Sequence, residues 1–216
     1  MKRSNKGIIT YLKILQNAKE LFYEKGFANT TVKEICNQSN VKLGTFTYYF
    51  NTKEALISDI YAEYIMKIYN CINHVENRKM NSLEKNTIAF FVYDELIFND
   101  PNTIKFHYDV ITKLSLYIIL SKNLRRFYPS FVKDFNLGID EKETIRIFSA
   151  DLGIRREFTL EFVENNLFDS SLDMSTAIYT MVGRLLKIDE EIMNEYIKNA
   201  TEFLNKNYLA HIKLLI

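Results

Sequence analysis

The chain has 216 residues, 47% hydrophobic and 25% charged, with a formal net charge of +1. That apolar content supports a packed core and excludes a disordered chain. Two prolines and six glycines leave little of the punctuation that short strands need, so long helices are expected rather than a β-sandwich. Cys36 and Cys71 offer no disulfide framework and read as small buried hydrophobes; His74, His107 and His211 lack metal-ligand spacing. Lys13 interrupts the apolar stretch Gly7–Leu15, no small-residue cleavage site follows, and the apolar run Leu116–Leu120 is far too short for a bilayer. A cytoplasmic protein with no membrane partner is expected.

Met1–Lys6 is a polar, basic arm. Residues 1–55 hold nine Lys/Arg against four Asp/Glu, a net of +5; residues 56–216 hold nineteen against twenty-three, a net of −4. A basic quarter on an acidic body predicts a polyanion-binding face at the N-terminal end. The first helix is expected over Ile8–Lys25, where Ile8, Leu12, Leu15, Ala18 and Phe22 follow a helical period. Gly26 suits its left-handed C-terminal position. Thr31 and Glu34 form a capping box that opens a short second helix, with Val32, Ile35 and Cys36 inward. Asn40 tolerates the left-handed conformation of a tight turn, Val41 wedges the angle, and a third helix covers Leu43–Phe50 with Phe46 and Phe50 inside. Asn51 and Glu54 repeat the cap pattern before a fourth helix through Leu56, Ile60, Tyr64 and Ile68 to about Asn73.

Residues 74–82 are polar and read as a loop before a helix over Ser82–Phe98. Asp100-Pro101 is an N-cap with proline at the first helical position, so another helix starts there. Residues 121–139 are mixed, with Pro129 and Gly138 as breakers. Asp140 and Glu143 open a helix to about Asn166, a turn at 169–173 precedes a helix ending near Leu186, and the last helix is expected from Asp189 to about Leu215. The fold class expected is all-α: a three-helix domain over 1–52, with its helix-turn-helix at 31–50, and a larger helical domain over 53–216.

Two short helices at a tight turn let the first cross a DNA backbone while the second enters the major groove. The outward face of the third helix offers hydroxyls for phosphates and base edges and rings for thymine methyls or sugars: Thr45, Thr47, Tyr48 and Tyr49. Lys53 sits in the first turn of the fourth helix, where an ammonium and free backbone N–H groups can share a phosphate. Residues 8–60 resemble the DNA-binding domain of the TetR family of bacterial transcriptional regulators. The resemblance is carried by Ile14-Leu15-Gln16-Asn17-Ala18-Lys19-Glu20-Leu21-Phe22, Lys25-Gly26-Phe27, Thr30-Thr31-Val32-Lys33-Glu34-Ile35 and the run Val41–Leu56. It implies that Gly44 lets the backbone approach DNA, that Leu43 and Thr45 touch bases, that Tyr48 and Tyr49 touch bases, sugars or phosphates, and that Lys53 binds a phosphate. Lys42 stands where Ser or Thr usually caps the third helix, Thr47 replaces a usual Tyr, Tyr49 stands where His is common, and apolar Leu43 suits methyl packing rather than hydrogen-bond readout. With the cap residue Thr31, the expected DNA-facing set is Thr31, Lys42, Leu43, Gly44, Thr45, Thr47, Tyr48, Tyr49 and Lys53.

The middle helices are rich in aromatics, which serve either a ligand pocket or plain core packing. Phe90, Tyr93, Phe106, His107 and Tyr108 are the candidate pocket residues. His107 can hydrogen-bond a ligand or be a satisfied structural histidine. Arg125-Arg126 and Arg155-Arg156 can meet an anion, though such pairs are more often solvated or in surface ion pairs. The last two helices carry apolar residues on more than one stripe, enough to cover their own body and a second copy. Ile178, Met181, Val182, Leu185, Ile197, Phe203, Leu204 and Tyr208 are the candidate dimer residues, with Gly183 permitting close approach; a single helix buried in a monomer is the other reading. No catalytic triad, metal cluster or phosphate loop appears, so neither catalytic residues nor a cofactor is expected. The resemblance implies a homodimeric repressor of an inverted-repeat DNA operator, released by a small-molecule effector; control by a protein partner is the alternative.

Overall fold

The computed structural model describes residues 5–76 and 78–216, so Met1–Ser4 of the basic arm lie outside it. Eleven helices and no strand occur among the described residues. The head comprises α1 (Asn5–Lys25), α2 (Val32–Ser39) and α3 (Leu43–Phe50). Ile14, Leu15, Ala18, Leu21 and Phe22 of α1 close over Ile35 and Cys36 of α2 and Phe46 and Phe50 of α3. The first turns of α1 depart from expectation. Ile8 and Leu12 are 44% and 52% exposed, because α1 begins beyond the edge of this small core. Tyr11 is anchored there, stacked on Phe50 and donating to Asp59 of α4 at 2.8 Å.

The local signals act as read. Gly26 has φ +84°. Thr31 accepts from Glu34 N while the Glu34 carboxylate accepts from Thr31 N. Asn40 is left-handed at φ 49°, ψ 49°, which turns the chain sharply into α3. The start of α4 (Ala55–Val75) differs: Thr52 Oγ1 accepts from Ala55 N, whereas Asn51 lies at φ 60° as the C-cap of α3. Asn51 is therefore used to end one helix and not to begin the next.

Behind the head lie α5 (Ser82–Phe98), α6 (Pro101–Thr112), α7 (Leu114–Arg125), α8 (Tyr128–Asp134), α9 (Glu141–Asn165), α10 (Ser171–Leu186) and α11 (Glu190–Lys206). α5 is buried on nearly every side, packed on α4, α6, α8, α10 and α11, as an all-round apolar helix must be. Pro129 does not break structure but occupies the first turn of α8, where its missing N–H costs nothing. The last helix stops well short of Leu215. Asn207 is extended and its Nδ2 donates to Phe203 O, after which Leu209, Ile212, Leu214 and Leu215 fold back and are buried. A tail with four anchors is better buried this way than as a helix continuing into solvent. No helix among the described residues is long and apolar enough to cross a membrane.

Candidate nucleic-acid interface and interior cavity

α3 has two faces with opposite duties. Phe46 and Phe50 are 1% and 3% exposed, whereas Leu43 and Tyr48 are 63% and 72% exposed. Lys42, Gly44 and Thr47 are also exposed, and Thr45 and Tyr49 are half-buried. Nothing lies within 4 Å of where a Gly44 Cβ would sit, so the Gly44 backbone is open to an approaching partner. Lys42 is the N-cap of α3 without a side-chain cap bond, the consequence expected where Ser or Thr is missing. The Thr47 hydroxyl donates to Leu43 O at 3.0 Å, and the Thr31 hydroxyl is engaged in the capping box. Both must surrender or share those bonds to reach a phosphate.

Lys53 is placed differently from the reading of a free phosphate ligand. Its ammonium donates to the carbonyls of Phe27 and Thr30, each at 2.7 Å, and lies 4.2 Å from the Phe27 ring centroid. Burial pushes its pKa down. Two of its three protons are thus spent on tying the start of α4 to the α1–α2 loop, and one is left to point outward. No sequence motif marks this, because carbonyl acceptors have no side-chain signature.

In the body, a cavity of about 50 Å³ opens between α4, α5, α6, α7 and α9. That is space for roughly three or four waters, so any larger guest must displace its walls. Phe90, Tyr93 and His107 line it as expected. Phe106 and Tyr108 do not. Phe106 is fully buried toward the head, and Tyr108 is half-buried and donates to Glu164 at 2.7 Å. Helical geometry explains the split, since neighbours along α6 point about 100° apart. Tyr61, Asp94 and Thr159 line the cavity and were not foreseen.

Arg155 is neither solvated nor in a surface ion pair as expected, since its side chain is 11% exposed, whereas Arg156 does pair with exposed Glu157. Arg155 Nε donates to Asp151 at 2.9 Å, and the guanidinium lies 4.8 Å over Phe90 and 4.9 Å over Tyr179. Burial opposes its charge, but Asp151 together with Tyr179 and Tyr128 outweighs this and holds its pKa well above the ordinary arginine value. Arg156 donates to the carbonyls of Ile111 and Thr112, clamping the C-terminal end of α6 to α9. An Arg155-Asp151 spacing of four residues was the available signal.

His107 is satisfied on one side. Its Nδ1 lies 2.7 Å from the Tyr61 hydroxyl, and burial pushes its pKa down to about 3, so the ring is neutral at ordinary pH. Donation by Tyr61 to Nδ1 satisfies both buried groups and leaves the ring proton on Nε2. Asp94 accepts from Ser175 at 2.7 Å, and burial pushes its carboxyl up to about 6.

An aromatic column joins this cavity to the head. Tyr61 stacks on Phe106 (6.0 Å between centroids) and Phe106 on Phe22 (5.4 Å), with Phe27 edge-on at 6.4 Å and Lys53 above Phe27. Beside it, Asp109 of α6 accepts from Ala28 N at 3.2 Å. Asp100, the N-cap of α6, accepts from the Tyr23 hydroxyl at 3.1 Å. α6 therefore presents His107 to the cavity and Phe106 and Asp109 to the loop ahead of α2.

The candidate dimer residues divide by exposure. Ile178, Val182 and Phe203 are 1–2% exposed and serve their own protomer's core. Met181, Leu185, Ile197 and Leu204 are half-buried, and Tyr208 is 83% exposed and beyond the end of α11. Gly183 faces Met193 of the same chain: a Cβ there would lie 2.5 Å from Met193 Cγ. The close approach it permits is between α10 and α11.

Residues 14–60 match the family model for bacterial regulatory proteins, tetR family. The chain is 34% identical over 64 residues to the uncharacterized HTH-type transcriptional regulator YerO of Bacillus subtilis (strain 168), covering 30% of this chain and 22% of YerO. It is 23% identical over 134 residues to IcaR of Staphylococcus aureus (strain Newman), a negative transcriptional regulator of the biofilm operon, covering 60% and 65% of the two chains. The chain thus spans less than two thirds of the length of either relative. Among solved structures, RolR in complex with resorcinol is similar in fold, with a TM-score of 0.64 and 17% identity over 90% of this chain and 96% of that one. So is TylP, a tetR regulator from Streptomyces fradiae, with a TM-score of 0.55 and 14% identity over 97% and 96%.

Proposed function

By residues 14–60 the chain belongs to the tetR family of bacterial regulatory proteins, and from that premise we propose that it is a sequence-specific DNA-binding transcriptional repressor released by a small molecule. The two-faced α3 carries this reading. A helix that buries Phe46 and Phe50 while exposing Leu43, Gly44, Thr47 and Tyr48 has the division of labour a major-groove reader needs. Leu43, Thr45, Tyr48 and Tyr49 address base edges, methyls and sugars; Lys42, Thr31, Thr47 and the third proton of Lys53 address phosphates. The domain division is set at 52/53, with α4 shared as the connector. The protein acts as a homodimer through α10 and α11, where Met181, Leu185, Ile197 and Leu204 form the part-exposed face left over from the protomer core. Two copies present two recognition helices to an inverted repeat.

The effector binds in the cavity and must favour the DNA-incompetent state to act at all. Since the cavity is narrow, an occupant pushes on α6. α6 in turn bears on the Gly26–Thr30 loop through Phe106 and Asp109, and on α4 through Tyr61. The negative regulator IcaR and the resorcinol complex of RolR support repression and small-molecule control in chains of this kind.

The test is selection of random duplex DNA by the purified protein, with sequencing of what is retained. An enriched inverted repeat is expected, with half-sites about one DNA turn apart or a multiple of it. Bulk, salt-sensitive retention without enrichment would overturn the regulator reading.

A further inference from the structure

Building on the effector reading above, we propose that the cavity takes a small neutral hydroxyarene, its hydroxyl donating to Asp94 and accepting from His107 while its ring lies among Phe90, Tyr93 and Tyr117. The cavity wall holds polar side chains that the protein leaves unfinished. Asp94 is 7% exposed and His107 is 5% exposed, so each is more than nine-tenths buried. Ser175 occupies one Asp94 oxygen, and the other has no partner among the described residues. Tyr61 occupies His107 Nδ1, and Nε2 likewise has none. Both residues line the cavity. Buried polar groups are ordinarily paired, so an open acceptor and an open donor on residues that line one cavity suggest what is missing from it.

The missing group is one that donates and accepts at once, which a hydroxyl does. The other surfaces select for the remainder of the guest. Aromatic rings line the cavity with Ile65, Ile111 and Leu120, and favour a flat apolar body. Charge is disfavoured in both directions. An anion would face the Asp94 carboxylate, while the Arg155 guanidinium is already committed to Asp151. A quaternary cation has neither a proton to give Asp94 nor a lone pair to accept from His107, so it would leave both groups unpaired. In a low-dielectric site an unmatched charge is expelled, whereas a neutral hydroxyl retains both hydrogen bonds.

Isothermal titration calorimetry of the full chain with four probes tests this: para-ethylphenol, its methyl ether para-ethylanisole, para-ethylbenzoate and benzyltrimethylammonium. The phenol is expected to bind at least about tenfold more tightly than each of the others, since a hydrogen bond to a carboxylate is among the stronger neutral-to-charged contacts. In Asp94→Asn the preference for phenol over ether should fall to about threefold or less, as a neutral amide accepts more weakly. The comparison among ligands is made on the unaltered protein, so it stands even if the variant folds poorly. Equal binding of the ether, or tighter binding of benzoate or the ammonium, would overturn the proposed chemistry while leaving an effector cavity in place. No binding of any probe would overturn the hydroxyarene assignment, and the DNA selection separately decides whether the chain is a regulator.

Discussion

Replacing Lys53 with Met removes one positive charge and keeps most of the side-chain length. In the structure that charge holds the carbonyls of Phe27 and Thr30 at 2.7 Å each. Hydrogen bonds to charged groups contribute about 1.5–3 kcal/mol apiece. Half-burial and the desolvation of the ammonium offset much of this, so a net loss of about 2 kcal/mol is expected for Lys53→Met. A lysine serving only as an exposed phosphate ligand would cost no more than about 0.5 kcal/mol when removed. Urea unfolding at pH 7 in the absence of DNA separates the two, because DNA binding does not enter the measurement. The same variant titrated onto its selected operator at several salt concentrations reports the other role, with a slope reduced by up to about one unit if the third proton meets a phosphate. A stability loss below about 0.5 kcal/mol would refute the seating of this ammonium on the loop.

Further outcomes follow from the core. Asp94→Asn should gain stability relative to the unaltered protein as pH rises. Burial pushes the Asp94 carboxyl up to about 6, so its contribution is complete at low pH and lost as pH rises through about 6. The relative gain is about 2 kcal/mol between pH 4 and pH 7. Urea midpoints that differ by a constant amount across that range would remove the burial argument. Gly183→Ala should destabilise by about 1 kcal/mol, the crowding against buried Met193 outweighing the better helix propensity of alanine; a stabilised variant would mean that Met193 yields freely. Phe106→Leu should cost about 1–3 kcal/mol by thinning the stack between Phe22 and Tyr61. It should also quicken amide exchange in residues 26–30; unaltered exchange would show that α6 does not hold that loop.

The head was legible because its signals are local. A capping box at Thr31 and Glu34, an asparagine where the turn needs positive φ, and two phenylalanines one turn apart on α3 each declare themselves within a few residues. The body was legible as helices but not as a site. Which of Phe106 and His107 meets the cavity depends on how α6 is rotated against α4 and α5, and that is fixed by the whole core. Arg155 looked like one of a surface pair because its four-residue spacing to Asp151 offers an ion pair without showing that both partners are buried. The end of α11 was misplaced for a related reason: Leu209, Ile212 and Leu215 extend a plausible helical stripe, and only the packing of the tail shows that the chain turns away at Asn207.

The opposed faces of α3 bear on how such a protein can change its target. The inward pair, Phe46 and Phe50, fixes the helix to the head, whereas Leu43 and Tyr48 reach open space. Exchanges at surface positions of that sort typically alter stability by no more than about 0.5 kcal/mol. Operator preference can therefore drift by single substitutions that the fold scarcely registers, and a duplicated copy could acquire a new DNA site long before its core had to be repacked.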